Sequence, residues 1–175
     1  MKKAFSGVAR ILPATTMVLS LMFFGTLEGW AQQKAKDMKH QLVGNWTVVS
    51  VDTTGLDGKT VQGFGANPQG LLTFDASGRY ALQVCSSGRP KFASNNRANG
   101  TPAENQTAVQ GCNPHWGRYS VSDGAIIFKI EHAMFPNWEG TEQKRPFTIK
   151  GDELTYSVPA ASTGGTSKLV WKRVK

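Results

Sequence analysis

Along most of the chain, apolar and polar residues alternate with a period of two, which predicts strands that turn one face to a core. Leu42 to Val51 is the first such run. Gly70 to Phe74 and Arg79 to Cys85 follow, joined by the tight turn Asp75-Ala76-Ser77-Gly78. Trp116 to Val121, Ala125 to Ala133, Thr141 to Lys150, Glu153 to Val158 and Lys168 to Val174 complete the set. Ser122-Asp123-Gly124 and Gly151-Asp152 are short connections of the hairpin kind. The connection after the first strand is glycine-rich and ends on Asn67-Pro68. The longest, Ser86 to His115, holds one predicted helix from Thr101 to about Gln110. Thr101 suits an N-cap, Pro102 the first helical position, and Glu104 completes a capping box. The expectation is all-β: about eight antiparallel strands, the number at which an up-and-down barrel closes round side chains or one small ligand, with one short helix in a long loop.

The N-terminus breaks the pattern. Lys2, Lys3 and Arg10 precede an apolar stretch from Ile11 to Leu27, and Gly29-Trp30-Ala31 sets small residues before Gln32. That is the layout of a secretory signal peptide over residues 1–31, cut before Gln32. The alternative, an uncleaved anchor, is short for a membrane span and interrupted by Pro13. No cysteine follows the apolar run, so no lipid anchor is expected, and no stable membrane anchor after cleavage. Residues 32–40 are polar and read as a flexible lead-in to a single domain over 41–175. The expected destination is the periplasm or the exterior.

The 175-residue chain has a formal net charge of +8. Loss of Lys2, Lys3, Arg10 and Glu28 with the signal would leave +6. The lysines and arginines are scattered, with no basic run beyond Lys172-Arg173, so a nucleic-acid partner is not expected. Two cysteines, Cys85 and Cys112, flank the long connection. In an oxidising compartment they suggest a disulfide, worth about 3–4 kcal/mol on the chain-entropy account; the alternative is two buried thiols. His40, His115 and His132 lack ligand-like spacing with carboxylates or cysteines, so no metal is expected. Glu131 and His132 are adjacent and would face opposite sides of a strand. No nucleophile elbow, phosphate loop or dinucleotide fingerprint is present, and no cofactor is implied.

Specific motifs then add a family resemblance. Leu42-Val43-Gly44-Asn45-Trp46 opens the barrel with a Gly-x-Trp, and Leu169-Val170-Trp171-Lys172-Arg173 closes it. Between them stand Phe64-Gly65-Ala66-Asn67-Pro68-Gln69-Gly70, Gly78-Arg79-Tyr80, Arg89-Pro90-Lys91-Phe92, Gly117-Arg118-Tyr119 and Phe135-Pro136-Asn137-Trp138-Glu139-Gly140. Together they resemble the bacterial and fungal lipocalin-like domain family across nearly all of residues 40–175. The resemblance implies a lipocalin-type barrel in which Arg173 packs over Trp46 and closes one end. It also implies small-molecule binding, with occasional isomerase or cyclase work. Many members carry a histidine in the strand before the Phe-Pro-Asn-Trp loop; here those positions are Phe128-Lys129, which weakens an enzymatic reading.

Strand parity proposes the interior. Ile126, Phe128 and Ile130 share a face with His132, and Leu154 and Tyr156 share one with Val158. Phe147 and Ile149 share a face with Arg145 and Gln143, which brings an arginine and a glutamine into an apolar interior. Buried polar groups need partners. Arg145 and Gln143 either orient a ligand's carboxylate or carbonyl, or make an internal pair or reach the mouth. Phe92, Trp116, Tyr119, Phe135 and Trp138 are candidates to line or lid the mouth; the alternative is local packing that fixes the loops, which is the preferred reading for Trp138. Arg89 and Arg118 are either entrance charges or ties between the long loop and the wall. Three functions remain: an exported barrel for a small apolar or amphipathic molecule; an isomerase, cyclase or hydrolase using Arg145, His132 or Tyr156; and a ligand-free envelope interaction protein. The oligomeric state is not legible.

Overall fold

The computed structural model describes residues 17–175, with side chains from residue 29 onward. The cationic start of the expected signal peptide lies outside the described residues. The chain divides into two compact units, Met1–Lys34 and Ala35–Lys175. Helix α1 runs Met17–Leu42, and among the described residues no helix is long and apolar enough to cross a membrane. The segment 32–40, expected as a flexible lead-in, is therefore helical. Its two glutamines, three lysines, Ala35 and Met38 are good helix formers. Its end is anchored: Met38 packs on the core, Lys39 Nζ sits 5.3 Å from the Tyr119 ring centre, and Leu42 is fully buried.

Nine strands follow: β1 Gly44–Thr54, β2 Thr60–Gln62, β3 Gln69–Phe74, β4 Arg79–Cys85, β5 His115–Ser122, β6 Ala125–Ala133, β7 Glu142–Lys150, β8 Glu153–Val158 and β9 Thr166–Arg173. Helix α2, Pro102–Gln110, lies between β4 and β5 with both halves of the Thr101–Glu104 capping box formed. β1 and β3 to β9 pair in order, and β9 returns to β1, so eight strands make a closed antiparallel barrel. β2 is the unexpected ninth, a short ribbon on the upper half of β1 at Asp52–Thr54. β1 starts at Gly44 rather than Leu42, because Leu42 still belongs to α1 and Gly44 turns the chain at φ +130°.

Two bulges interrupt the alternation. On β1 the register against β9 shifts between Val48 and Ser50. Val49 is extruded, and the inward set changes from Trp46 and Val48 to Val51. On β6, Trp116 pairs with His132 but Gly117 pairs with Ile130, leaving Glu131 as the extra residue. Gly117 makes this possible, since a Cβ there would collide with the Lys129 carbonyl oxygen and lie 2.8 Å from the Glu131 nitrogen.

One end is sealed. Trp46 is fully buried and its Nε1 donates to the Leu42 carbonyl at 2.8 Å. The Arg173 guanidinium lies 4.1 Å over the Trp46 ring, a favourable cation–aromatic stack. Its Nη1 donates to the Val43 carbonyl at 3.0 Å and its Nη2 to the Gln41 carbonyl at 2.6 Å. The unsatisfied carbonyls at the end of α1 thus receive donors from β1 and β9, and the positive charge suits a helix C-terminus.

Two outcomes test this frame. Arg173→Ala is expected to lower unfolding free energy in urea by about 2–4 kcal/mol, the combined worth of the stack and the charged hydrogen bonds. Arg173→Lys should recover less than half, because an ammonium cannot stack and reach both carbonyls. Gly117→Ala is expected to destabilise by about 1–3 kcal/mol through overpacking at the bulge, read in the same titration.

Candidate functional site

The opposite end holds a cavity of about 370 Å3 that opens between the loops. β1, β4, β8 and β9 contribute an apolar wall of Val51, Leu82, Val84, Val158 and Leu169, with Phe128 from β6. The rim is formed by Val61 and Phe64 around β2, Gln110 at the end of α2 and Asn113 after it, Trp138, and Ala161 to Thr163 between β8 and β9. A disulfide between Cys85 and Cys112 pins this rim. It ties the end of α2 to the end of β4, beside hydrogen bonds from Ser86 N to Gly111 O at 2.9 Å and from Asn113 N to Val84 O at 2.8 Å.

Five polar side chains occupy or support the interior. Arg145 lines the cavity from β7 and is half-buried. Its Nη2 donates to Gln143 Oε1, and its Nη1 donates to the Lys144 carbonyl at 3.4 Å. No carboxylate lies within ion-pair distance of it among the described residues. Burial lowers its pKa, and nearby Tyr156 and Tyr80 oppose the shift; an arginine stays charged regardless. Tyr156 lines the cavity and is almost fully buried; burial raises its pKa well above the ordinary phenol range, with Arg145 opposing. His115 lines the cavity from β5, and its Nδ1 shares a 2.9 Å hydrogen bond with Tyr80 Oη. Burial, helped by the Arg145 charge, pushes the His115 pKa down to about 4, so it is neutral at pH 7. The site is an apolar pocket holding one cation and neutral hydrogen-bonding groups.

A family model described as the lipocalin-like domain matches residues 43–174. The chain belongs to the lipocalin-like domain family. A relative from Aspergillus oryzae, named as a 4'-hydroxy-3'-methoxypropiophenone carrier protein, is 32% identical over 106 residues, covering 54% of this chain and 96% of the relative.

Within this lipocalin-like barrel, the residues proposed from the sequence separate into four groups. Arg145, Tyr156 and Phe128 line the cavity, and Gln143 stands behind Arg145 as its acceptor. His132, expected inside, is outside: the Glu131 bulge reverses the parity of β6. Its side chain is 61% exposed, 3.4 Å from Glu139 and tilted against Trp116. Trp116 is its cross-strand partner and is also on the outer face, stacked with Arg79, so it neither lines nor lids the mouth. Tyr119 faces inward but at the sealed end, where its hydroxyl donates to the Asp75 carbonyl at 2.8 Å. Phe92 and Phe135 lie in the loops without reaching the cavity: Phe92 packs at Gly100, and Phe135 meets Trp138 edge-on. Arg118 pairs with Glu131 on the outer wall, and Arg89 donates to the Ser86 carbonyl within its own loop.

Two further aromatic residues meet in the cavity. Trp138, read as local packing, lines the cavity and meets His115 edge-on with ring centres 5.7 Å apart. His115 shares parity with Gly117 and Tyr119 on β5, so alternation alone places it inward; spacing to other metal ligands was the wrong test for it.

The His115 environment fixes an acid response. The unfolded chain takes up a proton near the ordinary histidine pKa, whereas the folded protein resists until about pH 4. Stability contributed by the neutral form is therefore full above pH 6.5, is lost as pH falls from 6.5 to 4, and levels off below that. Urea unfolding of wild type and His115→Gln across this window should show wild type losing on the order of 3 kcal/mol more than the variant. Parallel curves would remove the buried-histidine account.

Proposed function

We propose that this lipocalin-like protein is an exported carrier that holds a small, largely apolar molecule in the open half of its barrel and orients it through Arg145. The observation that carries this reading is the pocket itself: an apolar cavity of about 370 Å3 with one arginine that has no carboxylate partner among the described residues. Binding pockets of this size are commonly apolar with a few placed polar groups. The Aspergillus oryzae relative, named as a carrier of an aromatic ketone, supports the same class of role. The Cys85–Cys112 bond supports an oxidising destination, the periplasm or the exterior, as the N-terminal pattern proposes. An internal cavity is also a poor match to a ligand-free barrel with a filled core.

A second reading, an isomerase, cyclase or hydrolase, draws on the Tyr80–His115 hydrogen bond at the cavity. A general base works best with a pKa near the operating pH. His115 at about 4 is a weak base at pH 7, and the carrier reading is preferred on that ground.

Native mass spectrometry of protein purified from its own compartment is expected to show a small-molecule adduct, or uptake of one from an extract of the producing cells. Repeated absence of both would overturn the carrier reading. With the adduct in hand, Arg145→Ala should weaken its binding by about ten- to a hundredfold, the worth of one hydrogen bond to a charged group. A lowered melting temperature with unchanged affinity would instead make Arg145 a structural residue.

A further inference from the structure

The carrier reading leaves open the chemistry at the polar end of the ligand. Among the described residues lining the cavity, Arg145 is the one that is charged. The groups facing it are Gln143 on its own strand, Tyr156 on β8, and the hydrogen-bonded Tyr80 and His115 on β4 and β5. None is a carboxylate. The nearby acidic groups are placed elsewhere: Glu142 is exposed and has the opposite parity to Arg145 on β7, Glu131 pairs with Arg79 and Arg118 on the outer wall, Glu139 with His132, Asp123 with Lys144, and Asp152 with Arg173. A guanidinium held in an apolar chamber without a counter-charge attracts an anion more strongly than the same group in water. The neighbours add to this. Tyr156 and Tyr80 keep their protons, and His115, with Nδ1 engaged by Tyr80, has Nε2 left for a ligand. The walls favour a flat molecule over a long chain, with rings from Phe64, Phe128, Trp138 and Tyr156 around a cavity at the small end of the usual range.

We infer that the ligand is taken up as an aryl oxyanion, a compact aromatic molecule whose acidic oxygen, of the phenolate or enolate kind, sits against Arg145. This rests on the carrier reading and goes beyond it in stating charge state and class. By linkage, a site that prefers the anion holds it ionised to lower pH than water does.

The test uses the purified protein with 4-nitrophenol, whose ionised form has its own absorbance band, and 4-nitroanisole, the neutral methyl ether of the same shape. Bound 4-nitrophenol is expected to stay ionised at least about one pH unit below its free titration, a tenfold preference for the anion. At pH 7 it should also bind more tightly than 4-nitroanisole. In Arg145→Gln that preference should collapse, whereas Arg145→Lys should keep part of it; melting curves of both establish that they are folded. If bound 4-nitrophenol titrates at or above its free value while 4-nitroanisole binds, the cavity selects neutral molecules; the oxyanion proposal falls and the carrier reading stands. Retention of the full shift in Arg145→Gln would also overturn the role given to Arg145. Decanoate displacing 4-nitrophenol with the higher affinity would overturn the aromatic class in favour of an aliphatic carboxylate. Binding of none of the three probes would count against both the proposal and the carrier reading.

Discussion

Pairing of β1 with β9 gives the protein an inside. The two strands meet from Trp46–Arg173 at one end to Thr54–Thr166 at the other, and this last seam turns a row of hairpins into a closed wall. Closure removes the exposed edges that an open sheet would leave. It also brings residues far apart in sequence into one enclosed volume, so that Val51 and Leu169 share a cavity wall with Phe128. The seam is locked at its lower end by the Arg173–Trp46 stack, which doubles as the cap on α1.

Sealing one end makes the other the way in. Trp46, Tyr119 and Leu42 fill the bottom, whereas the upper half is bounded by loops and small side chains that leave volume unfilled. The rim is not free to collapse, because the disulfide and its flanking backbone hydrogen bonds hold the end of α2 against β4. The cavity is thus a consequence of uneven filling: aromatic packing concentrates at the sealed end, and the polar groups Arg145, Tyr156 and His115 stand where packing is incomplete.

The bulges sort the polar residues between inside and outside. Without the extra residue at Glu131, His132 would continue the inward face of Phe128 and Ile130. With it, His132 joins Trp116 and Glu139 on the outer wall, and Ala133 packs on the core opposite His115. Glu131 keeps the outward parity that unbroken alternation already gives it, and pairs there with Arg79 and Arg118.

The sequence alone carried the local features. Turn residues at Asp75-Ala76-Ser77-Gly78 and Gly151-Asp152, the Thr101–Glu104 capping box, and alternation along β4, β7, β8 and the first part of β6 are encoded within a few neighbours, so they were legible. Parity also brought Arg145, Tyr156 and Phe128 to the interior correctly, because their strands keep an unbroken period through those positions. The tertiary structure decided what parity cannot carry. Bulges on β1 and β6 depend on the partner strand, and Gly117, which admits one of them, has meaning only across the sheet. Which inward residues meet ligand and which fill the sealed end is set by position along the barrel axis. Tyr119 and His115 share a strand face yet serve opposite ends, because they lie four residues apart on a strand that runs the length of the wall.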